Sequence, residues 1–193
     1  VNSVIKVDIV TELIIIDDCS SDDSFKKIQS LVQKIQIAKV KIDAKYIKHD
    51  SNQGKGACLI SGFKIARSEV IIFQDADLEY DPKDYVKLLE PVLSFDADLV
   101  IGSRLVGAQL TRVYYFWHKL GNKFITLLFN ILNNTTFTDI YSCYLLFKRN
   151  LVDPKKLIKT GWEQQAEILS QVVSKSSSFY EVPVNYYGRT YKE

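Results

Sequence analysis

Between residues 12 and 104 one pattern recurs. A short apolar run is followed by a polar turn, and then by apolar residues at helical spacing. The run "ELIII" (12–16) is β-branched, ends on Asp17-Asp18 and reads as a fully buried strand. In "DSFKKIQSLVQKIQ", residues 25, 28, 31, 32 and 35 are apolar, a helical period, with Asp23 or Ser24 as the cap. "AKYIKHD" gives a second strand and "SNQGKGACLISGFKIARS" a helix opened by glycines. "EVIIFQD" is a third strand, "DPKDYVKLLEPVL" a helix with Pro82 near its first turn, and "ADLVIGSR" a fourth strand.

Strand and helix therefore alternate, which predicts an α/β fold with a mainly parallel sheet covered by helices on both faces. In such sheets ligands bind beyond the carboxyl ends of the strands. Three predicted strands end there in polar residues: Asp17-Asp18, Asp75-Ala76-Asp77 and Gly102-Ser103-Arg104.

The second half has a different texture. "TRVYYFWHKLGNKFITLLFNILNN" reads as a long aromatic helix, and "CYLLFKR" as a strand. "GWEQQAEILSQVVSKS" is a helix, and "SFYEVPVNYYG" a closing strand broken by Pro183. Tyr114, Tyr115, Phe116 and Trp117 stand in a row and must cover most of the helix circumference, so at least one faces outward. Core packing accounts for most of them, and contact with lipid is the other reading of the outward ones. His118, with no His or Cys nearby, reads as a packed histidine. No repeat or linker interrupts residues 1–193, so a single domain is expected.

Composition narrows the class. The chain is 47% hydrophobic and 25% charged over 193 residues, as ordinary globular proteins are. A net charge of +2 gives no electrostatic case for nucleic acid as a partner. Cys19, Cys58 and Cys143 lie far apart without metal or redox spacing, which suits reduced thiols in the cytoplasm. No signal peptide is visible, and "FITLLFNIL" is too short to span a bilayer. The chain contains no Met and begins inside "VNSVIKVDIVTE", which reads as a helix end; a fragment is the expectation.

The chemistry concentrates in "QDADLEYD", where Asp75, Asp77, Glu79 and Asp81 follow an apolar strand, with Asp84 just beyond. Carboxylates two apart at a strand end can share a hard cation such as Mg²⁺ or Mn²⁺ that keeps positions open for phosphates. A solvated acidic turn that caps the next helix is the competing reading, and Asp81 and Asp84 fit it better. Asp17 and Asp18 have the same ambiguity between capping a helix and accepting hydrogen bonds from a base or ribose. "SNQGKG" fails the P-loop spacing, leaving Lys55 at a helix start as an anion neighbour, or glycines that serve turn and packing. Ser103 and Arg104 close the fourth strand; the arginine can pair with diphosphate oxygens or with an acid of the cluster. Arg189 is a second candidate cation or a tail charge. Asp139, in "FTDIYSCY", is a candidate general base or a turn residue.

Seven stretches in series, "LIIIDDCSSDDS", "HDSNQGKGACLISGFKIA", "VIIFQDADLEYDPKDY", "DLVIGSR", "YFWHKLGNKFITLLFN", "FTDIYSCYLLFKR" and "YEVPVNYYGRTYKE", resemble the family 2 glycosyltransferases. The likeness covers essentially the whole chain and is greatest to the branch of dolichyl-phosphate mannose synthases and related polyprenyl-phosphate sugar transferases. The resemblance implies a GT-A fold and inverting transfer from a GDP- or UDP-linked sugar to an acceptor such as a polyprenyl phosphate, with Mg²⁺ or Mn²⁺. It implies a nucleotide-sugar-binding half (1–110) and an acceptor-side half (111–193). On that pattern Asp75, Asp77 and Glu79 hold the metal, although many relatives carry Gln where Glu79 stands. Asp17, Asp18, Lys55, Asp75 and Ser103 bind the donor; Asp139, Arg104 and Arg189 act at the reacting centre. The family's first strand, with its nucleotide-contacting segment, is missing from this pattern. A peripheral position at the cytoplasmic face of a membrane follows from the acceptor. A response-regulator receiver, which also opens on Asp-Asp, fits worse: it needs one phosphorylatable Asp and a shorter chain. A phosphohydrolase wants Thr or Val where Glu79 stands. A non-catalytic metal- or nucleotide-binding fragment is the remaining alternative.

Overall fold

The strand Leu99–Ser103 is buried at every residue, and the rest of the molecule is arranged about it. The computed structural model describes residues 1–38, 41–107 and 115–188. A 3₁₀ turn (Val4–Lys6) precedes β1 (Glu12–Asp17), α1 (Ser24–Ile37), β2 (Asp43–Lys48), α2 (Lys55–Ile65) and β3 (Val70–Ile72). Then come α3 (Tyr85–Phe95), β4 (Leu99–Ser103), α4 (Phe116–Asn133), β5 (Leu145–Lys148), α5 (Gln164–Val173) and β6 (Phe179–Pro183).

The larger sheet has the order β3-β5-β4-β6. β4 and β6 pair in parallel, whereas β5 is antiparallel to both β3 and β4. β3, β4 and β6 thus share a direction, so the parallel expectation holds except for β5. The reason lies in the connection. The loop after α4 returns to the carboxyl end of β4, where Gly102 N–H donates to Tyr144 O (2.8 Å), so β5 starts opposite Ile101 and must run back.

Side chains alternate across this sheet, as the two-residue period of a strand requires. Leu99, Ile101, Leu145 and Phe147 pack with Phe129 of α4 and Ile168, Leu169 and Val172 of α5. Val100, Tyr144 and Leu146 face the other way, towards Tyr85 and Leu88 of α3.

β1 and β2 form a separate parallel pair. Among the described residues, β1 pairs only with β2 and β3 only with β5. A cleft of about 630 Å³ lies between β1 and β3, lined by Leu13, Ile15, Val70, Ile72 and, from α2, Leu59 and Phe63. Leu13, Ile14, Ile15 and Ile16 are therefore half-buried, which corrects the expectation of a fully buried strand. One side chain straps the cleft: Glu12 accepts from Arg67 N–H (2.9 Å) and Ser68 N–H (3.1 Å) just before β3, and from Lys45 Nζ of β2 (2.8 Å).

Two local expectations change. Asp23 sits at the N-cap of α1 without a side-chain capping bond, and Asp22 Oδ1 accepts from Ser24 N–H instead (2.9 Å). β3 is three residues long, because Gln74 leaves the ladder and its Oε1 accepts from the hydroxyls of Tyr85 and Tyr144 (2.7 Å each).

Candidate functional site

The end of β1 supplies two carboxylates with different surroundings. Asp17 is buried and accepts from Ser20 N–H (3.3 Å) and from the Ser20 hydroxyl, closing the turn that follows the strand. Asp18 takes His49 Nδ1–H (2.7 Å), Gln53 N–H (3.0 Å) and Gly54 N–H (2.7 Å). Burial alone would raise its carboxyl pKa. The Gln53 N–H, His49 and the Gly54 N–H outweigh that and hold it below the usual carboxylate range. His49 Nε2 lies 2.9 Å from Ser61 Oγ, and the Cys58 thiol stands beside Asp18, pushed up to about 11 by burial and then by that carboxylate's charge. Asp18, His49 and Cys58 are the one three-ligand gathering among the described residues. Its carboxylate already accepts from His49, Gln53 and Gly54, so the cluster holds together as a hydrogen-bonded support.

α2 begins where Asp18 ends. Gly54 has φ +91°, a backbone that Asp18 fixes, and Gly56 lies so close to the 157–162 loop that a Cβ would meet the Thr160 backbone at 2.5 Å. Gly56 N–H donates to Thr160 O (2.8 Å), and Gln164 Nε2 donates to Gly56 O (2.8 Å). The glycines therefore serve the turn and close packing. Lys55, beside them, reaches Asp75 Oδ2 at 2.6 Å and lies over the Trp162 ring. The expected anion neighbour is paired here with an acid of the predicted cluster.

The acidic turn is stitched to the far end of the chain. Asp77 Oδ1 accepts from Glu79 N–H (3.1 Å), and Leu78 between them has φ +64°. Glu79 Oε2 accepts from the Tyr186 hydroxyl (2.8 Å), and Glu79 O accepts from Tyr187 N–H (2.8 Å). Among the described residues Asp75, Asp77 and Glu79 do not gather as three ligands: Asp75 is held by Lys55 and Glu79 by Tyr186. Asp81 caps the turn at Pro82 through Lys83 N–H (3.0 Å), as expected of it. Asp84 departs from that role: it is buried, pairs with Lys87 (2.6 Å) and accepts from Asn185 N–H (3.0 Å).

Arg104 leaves β4 and forms a fork with Asp139: Nε to Oδ2 and an Nη to Oδ1, both 2.7 Å. Asp139 has no exposed surface, and Asn122 Nδ2 of α4 also donates to it (3.0 Å). Both carboxylate oxygens of Asp139 are thus occupied by the Arg104 guanidinium, and the contact orients Arg104. The guanidinium also lies 5.3 Å from the Tyr186 ring, whose hydroxyl meets Glu79. Ser103 is wholly buried, bonded to Thr138 Oγ1 (2.7 Å) and to the N–H groups of Leu105 and Val106, so it shapes the loop without facing the opening. Arg189 lies outside the described residues.

These contacts form two runs at the strand ends: Asp18 with Gly54, next to the Lys55–Asp75 pair, and Glu79 through Tyr186 and Arg104 to Asp139. Sequence reasoning missed its supports: Gln74, Tyr80, Tyr144 and Tyr186. The only signal was a Gln at the end of an apolar strand and a surplus of tyrosines nearby. Tyr80, Tyr85 and Tyr144 are pushed well above the usual phenol range by burial, so they remain neutral donors.

The family model for glycosyl transferase family 2 matches residues 1–153, and the chain belongs to that family. It is 28% identical over 177 residues to a dolichol-phosphate mannosyltransferase of Pyrococcus furiosus, covering 91% of this chain and 47% of the relative. It is 30% identical over 138 residues to a low-salt glycan biosynthesis hexosyltransferase of Haloferax volcanii, covering 71% of this chain and 33% of the relative. The chain thus spans about half or less of the length of these two relatives. Among solved structures it resembles a glucosyl-3-phosphoglycerate synthase from Mycobacterium tuberculosis in complex with Mn²⁺, uridine diphosphate and phosphoglyceric acid. That match has a TM-score of 0.63 at 17% identity and covers 94% of this chain and 61% of that one. S. aureus TarS in complex with UDP-GlcNAc matches with a TM-score of 0.63 at 16% identity, covering 100% of this chain and 54% of that one. The fold is that of the GT-A glycosyltransferases. Among the described residues no helix is long and apolar enough to cross a membrane.

Proposed function

We propose that this chain carries the catalytic domain of a glycosyltransferase that moves a sugar, with inversion, from a UDP- or GDP-linked donor to a polyprenyl phosphate. The observation that carries the reading is the convergence at the strand ends of Asp18, the Lys55–Asp75 pair and the run from Glu79 through Tyr186 to Arg104 and Asp139. Residues 1–110 form the donor half and 111–193 the acceptor half. Asp17 and Asp18 sit at the base and ribose end, the latter with its carboxylate pre-oriented by Gln53 and Gly54. The hard-oxygen pair Asp75 and Asp77 suits Mg²⁺ or Mn²⁺, as the Mn²⁺-bound structural neighbour would suggest. When bound, such a cation neutralises charge on the departing diphosphate. Lys55 would then exchange part of its pairing with Asp75 for a phosphate oxygen.

As the anomeric carbon–oxygen bond breaks, its electron pair leaves on the nucleoside diphosphate and an acceptor oxygen bonds to the opposite face of the sugar. Arg104, held flat by Asp139, would stabilise the phosphate charge that grows in this step. A phosphate acceptor is already anionic and needs no strong base, which agrees with Asp139 being engaged by Arg104. Arg189 would be a second cation on the acceptor phosphate. The dolichol-phosphate relative supports this acceptor class and a peripheral position at the cytoplasmic face of a membrane.

A product assay with a nucleotide-sugar panel and a short polyprenyl phosphate tests the reading. Transfer to the lipid phosphate is expected; transfer to water alone, or none, overturns it. Calorimetric titration with UDP and GDP separates the metal role. Binding should need Mn²⁺ or Mg²⁺ and weaken at least tenfold in Asp77→Ala, whereas binding that survives EDTA or the substitution would remove the cation from the scheme.

A further inference from the structure

α4 is amphipathic in the reverse of the usual sense. Its polar positions Asn122, Thr126, Asn130 and Asn133 face the body of the protein, where Asn122 meets Asp139 and Asn130 bonds the Phe137 backbone. Its apolar positions face solvent. Phe116, Leu120, Phe124, Leu127 and Ile131, three or four residues apart, make one exposed stripe, and Trp117 beside it is 75% exposed. Only Thr126 and Phe129 of this 18-residue helix are buried. A surface helix of a soluble domain turns its apolar stripe inward; this one exposes an apolar arc about 22 Å long.

We infer that the outward face of α4 docks the protein on an anionic lipid bilayer, the helix lying in the plane of the interface. Three observations select that occupant. The helix carries Lys119 and Lys123, one turn apart and exposed along the edge of the stripe, and no acidic residue. Two copies placed face to face would bring like charges together, whereas anionic headgroups would meet them favourably. The aromatic residues Tyr115, Phe116 and Trp117 cluster at one end, the composition of helices that rest at the headgroup boundary. Finally, the inward face of the same helix bonds Asp139, which holds Arg104. A membrane on the outer face would place the lipid surface about one helix diameter from Arg104 of the proposed site. This last point rests on the function proposed above; the first two do not.

The test is flotation of the 193-residue chain with vesicles of phosphatidylcholine alone or with about one-third phosphatidylglycerol. Neither vesicle contains polyprenyl phosphate or a sugar donor, so this result and that of the transfer assay can fail separately. Binding to the anionic vesicles is expected, weakening as salt is raised. In a Trp162→Phe background the Trp117 emission should shift to the blue on binding. The double variant Phe116→Ser/Trp117→Ser should lose about tenfold or more in partitioning, and Lys119→Glu/Lys123→Glu should lose the preference for anionic vesicles. All these positions are exposed, and unchanged far-UV circular dichroism would show the fold intact. Absence of vesicle binding, or binding unaltered by both variants, overturns the inference. So does a dimer in light scattering that the apolar variant dissolves, which would assign the face to a second copy.

Discussion

At the scale of single residues, close approach explains more of the site than charge does. Gly56 is fixed by the Thr160 backbone, which cannot rotate away as a side chain could. Gly56→Ala should lower stability by about 2 kcal/mol in urea unfolding, the usual result of overpacking. Tyr186→Phe removes the hydroxyl that holds Glu79 and should cost about 1 kcal/mol in the same measurement. The thiols should sort by environment. Cys19 is exposed, Cys58 is half-buried, and burial pushes Cys143 up to about 12. One thiol should therefore react quickly with Ellman's reagent at about pH 8 in the native protein, and three after denaturation. The acids announced themselves in the sequence because five of them follow one apolar run. Their separate tasks did not, because those depend on partners as remote as Tyr186 for Glu79, Asn185 for Asp84 and Arg104 for Asp139.

At the scale of elements, the strand and helix periods were readable wherever one face is buried, and the strand ends at Asp17 and Ser103 fall close to the positions expected, whereas β3 stops at Ile72, short of Asp75. The direction of β5 was not readable, because a four-residue apolar strand looks the same in either sense; only its docking at the end of β4 decides it. Nor was the orientation of α4, since periodicity gives the width of an apolar stripe and not the side on which the protein lies. Glu12 shows what an element junction can hold. Burial would raise its carboxyl pKa, but Lys45 and the N–H groups of Arg67 and Ser68 bring it down to about 2. A carboxylate lowered by folding adds stability that is fully present above the unfolded value near 4.5 and is lost as pH falls towards about 2. Wild type should therefore lose stability over that window more steeply than Glu12→Gln, measured by chemical unfolding at several pH values.

At the scale of the whole molecule, the two sheets differ in how firmly they are held. β4 is bonded on both sides and wholly buried, whereas β1 and β3 each have one bonded neighbour and face the cleft. Amide hydrogen exchange should be slowest in β4 and markedly faster in β1 and β3, with loss of the Glu12 strap speeding both. Equal protection of all three strands would contradict this ranking. The cleft has a further consequence for handling the protein. Its two walls are apolar strand edges, and an open edge is a template on which a strand from another molecule can be laid down. A net charge of +2 offers little long-range repulsion against that. Concentrated solutions should therefore self-associate by edge-to-edge growth.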